Sequence, residues 1–316
     1  MVSPSNRWLA RASRARSFLS LGALFLGALS VTMAIAPAGA QPQSEYVHYR
    51  RIDLDAPWGA QRVLVTFPRR GDRLEHPPDE RYPIVIALHG RGEASPPERA
   101  HLGWPNLYRL SDAFEALMNG RVSRASYRGF ARDEHIAYVN ESLRARPFRG
   151  VMVVTPYVPD VMREDLGSER MRELGEWLSG PLLAAVRERL EGAARTREGT
   201  GIDGVSMGGR VALEVGLSHP EAFGAVGAIQ PAIRGNEAAL AELAARAGSP
   251  QRIHLLSSDG DPLLGATRQM SSALSEQQVS HTLAVVPGPH DYAFNRGPAG
   301  IEMLLFHDRA LAREAF

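Results

Sequence analysis

The segment Gly204-Val205-Ser206-Met207-Gly208 holds a serine with a glycine two positions to either side. In that pattern the serine sits on a tight strand-to-helix turn in strained backbone geometry. The small flanking residues let the turn approach its neighbours. Such a serine can attack a carbonyl carbon once a base takes its proton. Gly288-Pro289-His290-Asp291-Tyr292 supplies the base, because a histidine in a turn after the last strand-like run can swing over the serine. Between the two, Ser257-Ser258-Asp259-Gly260-Asp261-Pro262 offers a carboxylate to orient the imidazole. Asp261 is the first candidate and Asp259 the alternative acid.

Asp261 followed by Pro262 has a rival structural meaning, since an N-cap with proline at the first helical position reads the same way. The oxyanion that forms on attack needs backbone donors. Met207 N–H, at the start of the helix after Ser206, is one. The turn His89-Gly90-Arg91-Gly92 offers the second from Arg91, with Gly90 close by. His254, His281 and His307 fall inside strand or helix patterns and read as structural.

Composition removes other chemistries. Cysteine and lysine are both absent, so no thiol nucleophile, Schiff base, P-loop lysine or Ser-Lys dyad is available. No His-Glu-x-x-His or comparable spacing points to a metal, and Gly199-x-Gly201 reads as a plain loop rather than a dinucleotide fingerprint. No cofactor is expected. Net charge is +1, but residues 1–40 carry four arginines and no acid, which leaves the rest at −3. A nearly neutral body has no electrostatic footprint for nucleic acid.

The elements that must position these residues alternate along the chain. Strand signals run over 46–54, 62–67, 84–88, 151–154, 223–229, 253–256 and 282–286. The run Ile84-Val85-Ile86-Ala87-Leu88 is apolar throughout, as in a parallel strand buried on both faces. Helical periodicity covers 111–119, 168–190, 208–218, 237–247, 264–278 and 298–310, with Gly180-Pro181 interrupting the second. The alternation predicts one α/β domain around a mostly parallel sheet. Residues 91–150 are long for a single crossover and read as a lid-like insertion over about 95–148, with Trp104, Tyr108 and Tyr127 lining an acyl pocket or pinning the insertion.

The N-terminus reads as an export signal. A basic stretch ends at Arg16, an apolar run covers 18–36, and Ala38-Gly39-Ala40 precedes Gln41. The expected mature chain is therefore 41–316, periplasmic or secreted, with no stable membrane insertion; an uncleaved anchor is the alternative.

Together these residues resemble the α/β-hydrolase superfamily, nearest to its esterase D and enterochelin-esterase-like group. The likeness is carried by residues 81–90, the turn at Ser206, residues 218–226, Asp261-Pro262 and residues 288–292. It implies a sheet of about eight strands with helices on both faces, a serine–histidine–acid triad of Ser206, His290 and Asp261, Met207 and Arg91 as oxyanion donors, and no cofactor. Three positions depart from the group. Asp203 stands where a small or apolar residue is usual, Pro289 replaces a common glycine, and the insertion is large. A buried Asp203 would need a partner. The implied activity is hydrolysis of a small-molecule or polymeric ester through an acyl-enzyme. Acyl transfer by the same triad and a non-catalytic binding protein on this fold are the alternatives.

Overall fold

The computed structural model describes residues 44–69 and 79–316. The expected export signal and its cleavage point lie outside the described residues. Ten strands occur among those described: β1 Val47–Ala56, β2 Gly59–Pro68, β3 Glu80–Arg81, β4 Ile84–Leu88, β5 Met152–Thr155, β6 Thr200–Gly204, β7 Ala225–Ile229, β8 Arg252–Gly260, β9 His281–Pro289 and β10 Glu314–Ala315. The helices are α1 Leu110–Met118, α2 Asp133–Ala145, α3 Glu169–Trp177, α4 Leu183–Arg189, α5 Met207–Ser218, α6 Glu237–Arg246, α7 Leu264–Glu276, α8 Tyr292–Phe294 and α9 Gly300–Ala310.

Eight strands form one sheet in the order β1-β2-β5-β4-β6-β7-β8-β9. β1, β2 and β5 pair antiparallel; from β5 to β9 every pairing is parallel. Parallel neighbours need helical crossovers, and these cover both faces. β4 shows the consequence. Ile84, Ile86 and Leu88 pack into a core with residues of α3 to α7, while Val85 and Ala87 pack into a second core with α1, α2 and α9. This is the mostly parallel, two-faced α/β sheet that the strand–helix alternation predicts.

Several details differ from the sequence reading. Gly201 lies within β6, because a Cβ there would stand 2.6 Å from His307 Nδ1 and only glycine leaves that room. The interruption at Gly180-Pro181 is a wide π-type turn over Leu178–Leu182 that joins α3 to α4. α2 and the short β3–β10 pairing lie outside the elements read from the sequence. Within the insertion, Trp104 Nε1–H donates to Leu88 O at 3.0 Å and Tyr127 donates to Glu302 at 2.5 Å. These two side chains pin the insertion to the sheet and to α9.

Candidate active site

The β6–α5 turn is built by steric exclusion. Ser206 has φ 56° and ψ −113°, a left-handed backbone that a non-glycine residue adopts only under strain. A Cβ on Gly204 would stand 2.4 Å from the Gly208 carbonyl, and one on Gly208 would stand 2.5 Å from His89 O. Both positions therefore exclude any side chain, so β6 can turn directly into α5 against β4. Ser206 N–H donates to Ile229 O at 2.9 Å, and Val205 N–H donates to Leu88 O. The strained residue is thus held from both neighbouring strands.

Ser206, His290 and Asp261 come together although their elements are far apart in sequence. Ser206 Oγ lies 3.1 Å from His290 Nε2, and His290 Nδ1–H donates to Asp261 Oδ1 at 2.8 Å. Asp261 is fully buried, with further donors from Ser257 Oγ at 2.6 Å and Leu263 N at 2.9 Å. Burial pushes its carboxyl up, but the hydrogen bonds from His290, Ser257 and Leu263 outweigh that and hold it below the usual carboxylate value. Leu263 N–H belongs to the turn before α7, whose N-cap is Leu263 itself, so the reading of Asp261 as an N-cap with Pro262 at the first helical position does not hold. Asp259 points elsewhere: it accepts Gly288 N–H at 3.0 Å on the exposed end of β9.

Met207 is the first residue of α5, where backbone N–H groups have no acceptor within the helix. Across from it, Gly90 N–H donates to Tyr108 Oη at 3.0 Å. Arg91 opens the next short turn, and its guanidinium pairs with Asp160 at 2.8 Å. His89 is neutral at this bend. Burial lowers its pKa, its Nδ1–H donates to Gly90 O at 2.8 Å, and Nε2 accepts Val158 N–H at 3.0 Å.

These groups border an open cleft of about 290 Å³, whose walls include Ser206, His290, Glu93, Tyr108, Tyr292 and Asn295. Of the three insertion aromatics, Tyr108 reaches it. Glu93, Tyr292, Asn295 and Gln230 were not singled out from the sequence. Gln230 Nε2–H donates to Ser258 Oγ and to Pro289 O, so it fixes the backbone just before His290. Gln230 precedes Pro231 directly after β7, which is the one local signal it carries.

Asp203 and His307, the departure noted in the sequence, form a separate buried pair with Nε2 3.0 Å from Oδ2. Asp203 Oδ1 also accepts Gly204 N–H at 2.7 Å.

The comparisons with known proteins enter here. A family model described as "Putative esterase" matches residues 167–294, a span that contains Ser206, Asp261 and His290. Comparison with curated proteins by sequence returned no match. Among solved structures, a ferulic acid esterase aligns with TM-score 0.59 at 17% identity, over 84% of this chain and 99% of that one. An S-formylglutathione hydrolase from Staphylococcus aureus aligns with TM-score 0.52 at 15% identity, over 85% and 100%. The enterobactin esterase from Shigella flexneri aligns with TM-score 0.53 at 16% identity, over 84% of this chain and 60% of that one. The likeness to these structures shows the α/β-hydrolase fold. Within that class the chain resembles the esterase D and enterochelin-esterase-like group, and the family match supports an esterase.

Proposed function

We propose that the protein is an exported serine esterase that works through an acyl-enzyme. The observation that carries this reading is the continuous hydrogen-bond chain from Ser206 Oγ through His290 to the buried Asp261 carboxylate. In the proposed reaction His290 Nε2 takes the Ser206 proton as Oγ attacks the ester carbonyl. The carbonyl oxygen becomes an oxyanion that Met207 N–H and Arg91 N–H receive. His290 then gives its proton to the departing alcohol, and a water deprotonated by the same imidazole releases the acid. Asp261 stabilises the imidazolium at both stages and keeps its own charge.

The substrate is a carboxylic ester whose scissile carbonyl reaches an open cleft lined by more apolar than polar surface. The insertion over 95–148 supplies one wall through Tyr108. Export follows from the segment before Gln41, and N-terminal sequencing of protein from outside the cytoplasm checks it, with Gln41 as the expected first residue. No helix among the described residues is long and apolar enough to cross a membrane.

The direct test is a fluorophosphonate probe together with p-nitrophenyl acetate. The wild type should be labelled and should hydrolyse the ester; Ser206→Ala should lose labelling and, on the order of 10⁶-fold, turnover. An unlabelled wild type indistinguishable from Ser206→Ala would end the proposal.

A further inference from the structure

Glu93 is an acid that the proposed chemistry does not use, yet it borders the cleft and is only 7% exposed. Its two oxygens are taken by tyrosine hydroxyls from distant parts of the chain. Tyr108 Oη–H donates to Oε2 at 2.5 Å, and Tyr292 Oη–H donates to Oε1 at 2.6 Å. Tyr108 Oη in turn accepts Gly90 N–H at 3.0 Å. The result is one unbroken path, from the turn that follows β4, through the insertion and Glu93, to Tyr292 at the start of α8, two residues beyond His290.

The path is built for close fit. A Cβ on Gly90 would stand 3.3 Å from both Glu93 Oε2 and Tyr108 Oη, and one on Gly92 would stand 3.1 Å from Tyr292 Oη. The turn can therefore settle tightly on the three side chains. Both hydroxyls stay protonated, and so remain donors, across the neutral range. Burial and then Glu93 push Tyr108 well above the ordinary phenol value, and the hydrogen bond to Glu93, followed by burial, lifts Tyr292 to about 12. Gly90 N–H is committed to Tyr108, which is consistent with Arg91 N–H as the oxyanion donor of this turn.

We propose that Glu93 is a positioning residue: through Tyr108 and Tyr292 it locks the turn bearing Arg91 N–H to the loop bearing His290 at a fixed spacing. The mechanical tie stands on the three hydrogen bonds. Its effect on turnover rests on the esterase reading above. Donors fixed in advance act on charge that develops only in the transition state, so loosening them lowers kcat and leaves KM nearly unchanged.

The experiment uses the purified protein with Glu93→Gln, Tyr108→Phe and Tyr292→Phe, and reads two things. The first is kcat and KM separately for p-nitrophenyl acetate. The second is amide hydrogen exchange over residues 88–94 and 288–295, which needs no activity. Glu93→Gln should lower kcat by about 10–100-fold with KM within about twofold, and should raise exchange in both segments together. Tyr108→Phe should lower kcat similarly, with its main exchange effect in 88–94. Tyr292→Phe, the mildest change, should loosen chiefly 288–295; it keeps the test usable if Glu93→Gln fails to fold.

Exchange that rises in one segment alone for Glu93→Gln would overturn the tie. A raised KM with unchanged kcat would make Glu93 a substrate-binding group instead, and unchanged kcat and KM in all three variants would remove its positioning role. A wild type without Ser206-dependent hydrolysis would sink the esterase reading, while the exchange data would still decide the tie.

Discussion

Two aspartate–histidine pairs of nearly equal length stand in this domain, and the proposed function gives them opposite roles. Asp261 Oδ1 and His290 Nδ1 are 2.8 Å apart, and the His290 side chain is 26% exposed beside Ser206. Asp203 Oδ2 and His307 Nε2 are 3.0 Å apart, sealed to 1% exposure or less. Pairing alone therefore does not make a catalytic acid and base. Place along the element decides it. Asp261 and His290 follow β8 and β9 at the carboxyl ends of parallel strands, where loops open to solvent and ligands reach them. Asp203 lies within β6 and His307 within α9, so their carboxylate and imidazole meet in the interior, away from the cleft.

The buried pair has its own architecture. A Cβ on Gly227 of β7 would stand 1.9 Å from Asp203 Oδ2, and one on Gly201 would stand 2.6 Å from His307 Nδ1. Two glycines on adjacent strands thus open the space that two polar side chains fill. Asp203 Oδ1 receives Gly204 N–H, so the pair braces β6 from beneath, three residues before the strained Ser206.

The comparison is broken most sharply by Asp261→Asn. Loss of the charge that stabilises the imidazolium should lower kcat on the order of 10⁴-fold, as an asparagine does in the serine-protease triad. Melting should fall modestly, because the side-chain oxygen can still accept Leu263 N–H. Asp259→Asn should stay within a few-fold of wild type, since Asp259 holds only Gly288 N–H. Activity lost in Asp259→Asn and kept in Asp261→Asn would reverse the assignment.

Asp203→Asn should show the mirror image. Weakening this fully buried hydrogen-bonded pair should cost about 1–3 kcal/mol of stability. Turnover per folded molecule should drop far less than in Asp261→Asn, because Asp203 touches no reacting atom. Denaturant unfolding measured beside active-site titration separates the two quantities. A variant as stable as wild type but inactive would move Asp203 into the catalytic machinery.

What was legible in the sequence follows the same division. Ser206 is marked by the Gly-x-Ser-x-Gly pattern, and Asp261 and His290 lie in the turns after the strand signals at 253–256 and 282–286, so local pattern and chain order located them and the structure brings them together. The parallel core was legible because β4 is apolar at every position. Asp203 announced itself as a carboxylate in an apolar context that required a partner, but His307 is 104 positions away and sits inside a helical pattern. Glu93 was invisible for the same reason: its partners are 15 and 199 positions distant, and a lone glutamate after a Gly-Arg-Gly turn reads as solvated. α2 does carry helical spacing in Ile136, Val139 and Leu143, but the polar and charged residues around them make so short an apolar stripe easy to pass over. Partners brought in by tertiary folding leave no local trace.

A smaller effect sharpens the contrast between the sealed sheet and the insertion on its flank. Glu302 of α9 accepts both Tyr127 Oη–H at 2.5 Å and His135 Nε2 at 2.7 Å, which fastens the insertion from two points. The hydrogen bond to Glu302 raises the His135 pKa, aided by the charge of Glu302, and outweighs the lowering by burial. A histidine whose folded value lies above its unfolded value stabilises most when protonated in both states. The contribution is therefore fully present below about pH 6.5 and fades as pH rises through the elevated folded value. The His135 side chain is 28% exposed, so solvent screening keeps the contribution under about 1 kcal/mol. That corresponds to a Tm change of no more than about 2–4 °C. Other histidines titrate in the same range, so the measured quantity is the Tm of wild type minus that of His135→Gln. It should be largest near pH 6 and approach a small constant by pH 8.5, where the neutral imidazole still donates one hydrogen bond. A difference that is flat with pH, or grows as pH rises, would show that His135 holds the insertion by packing against Tyr127 rather than by its charge.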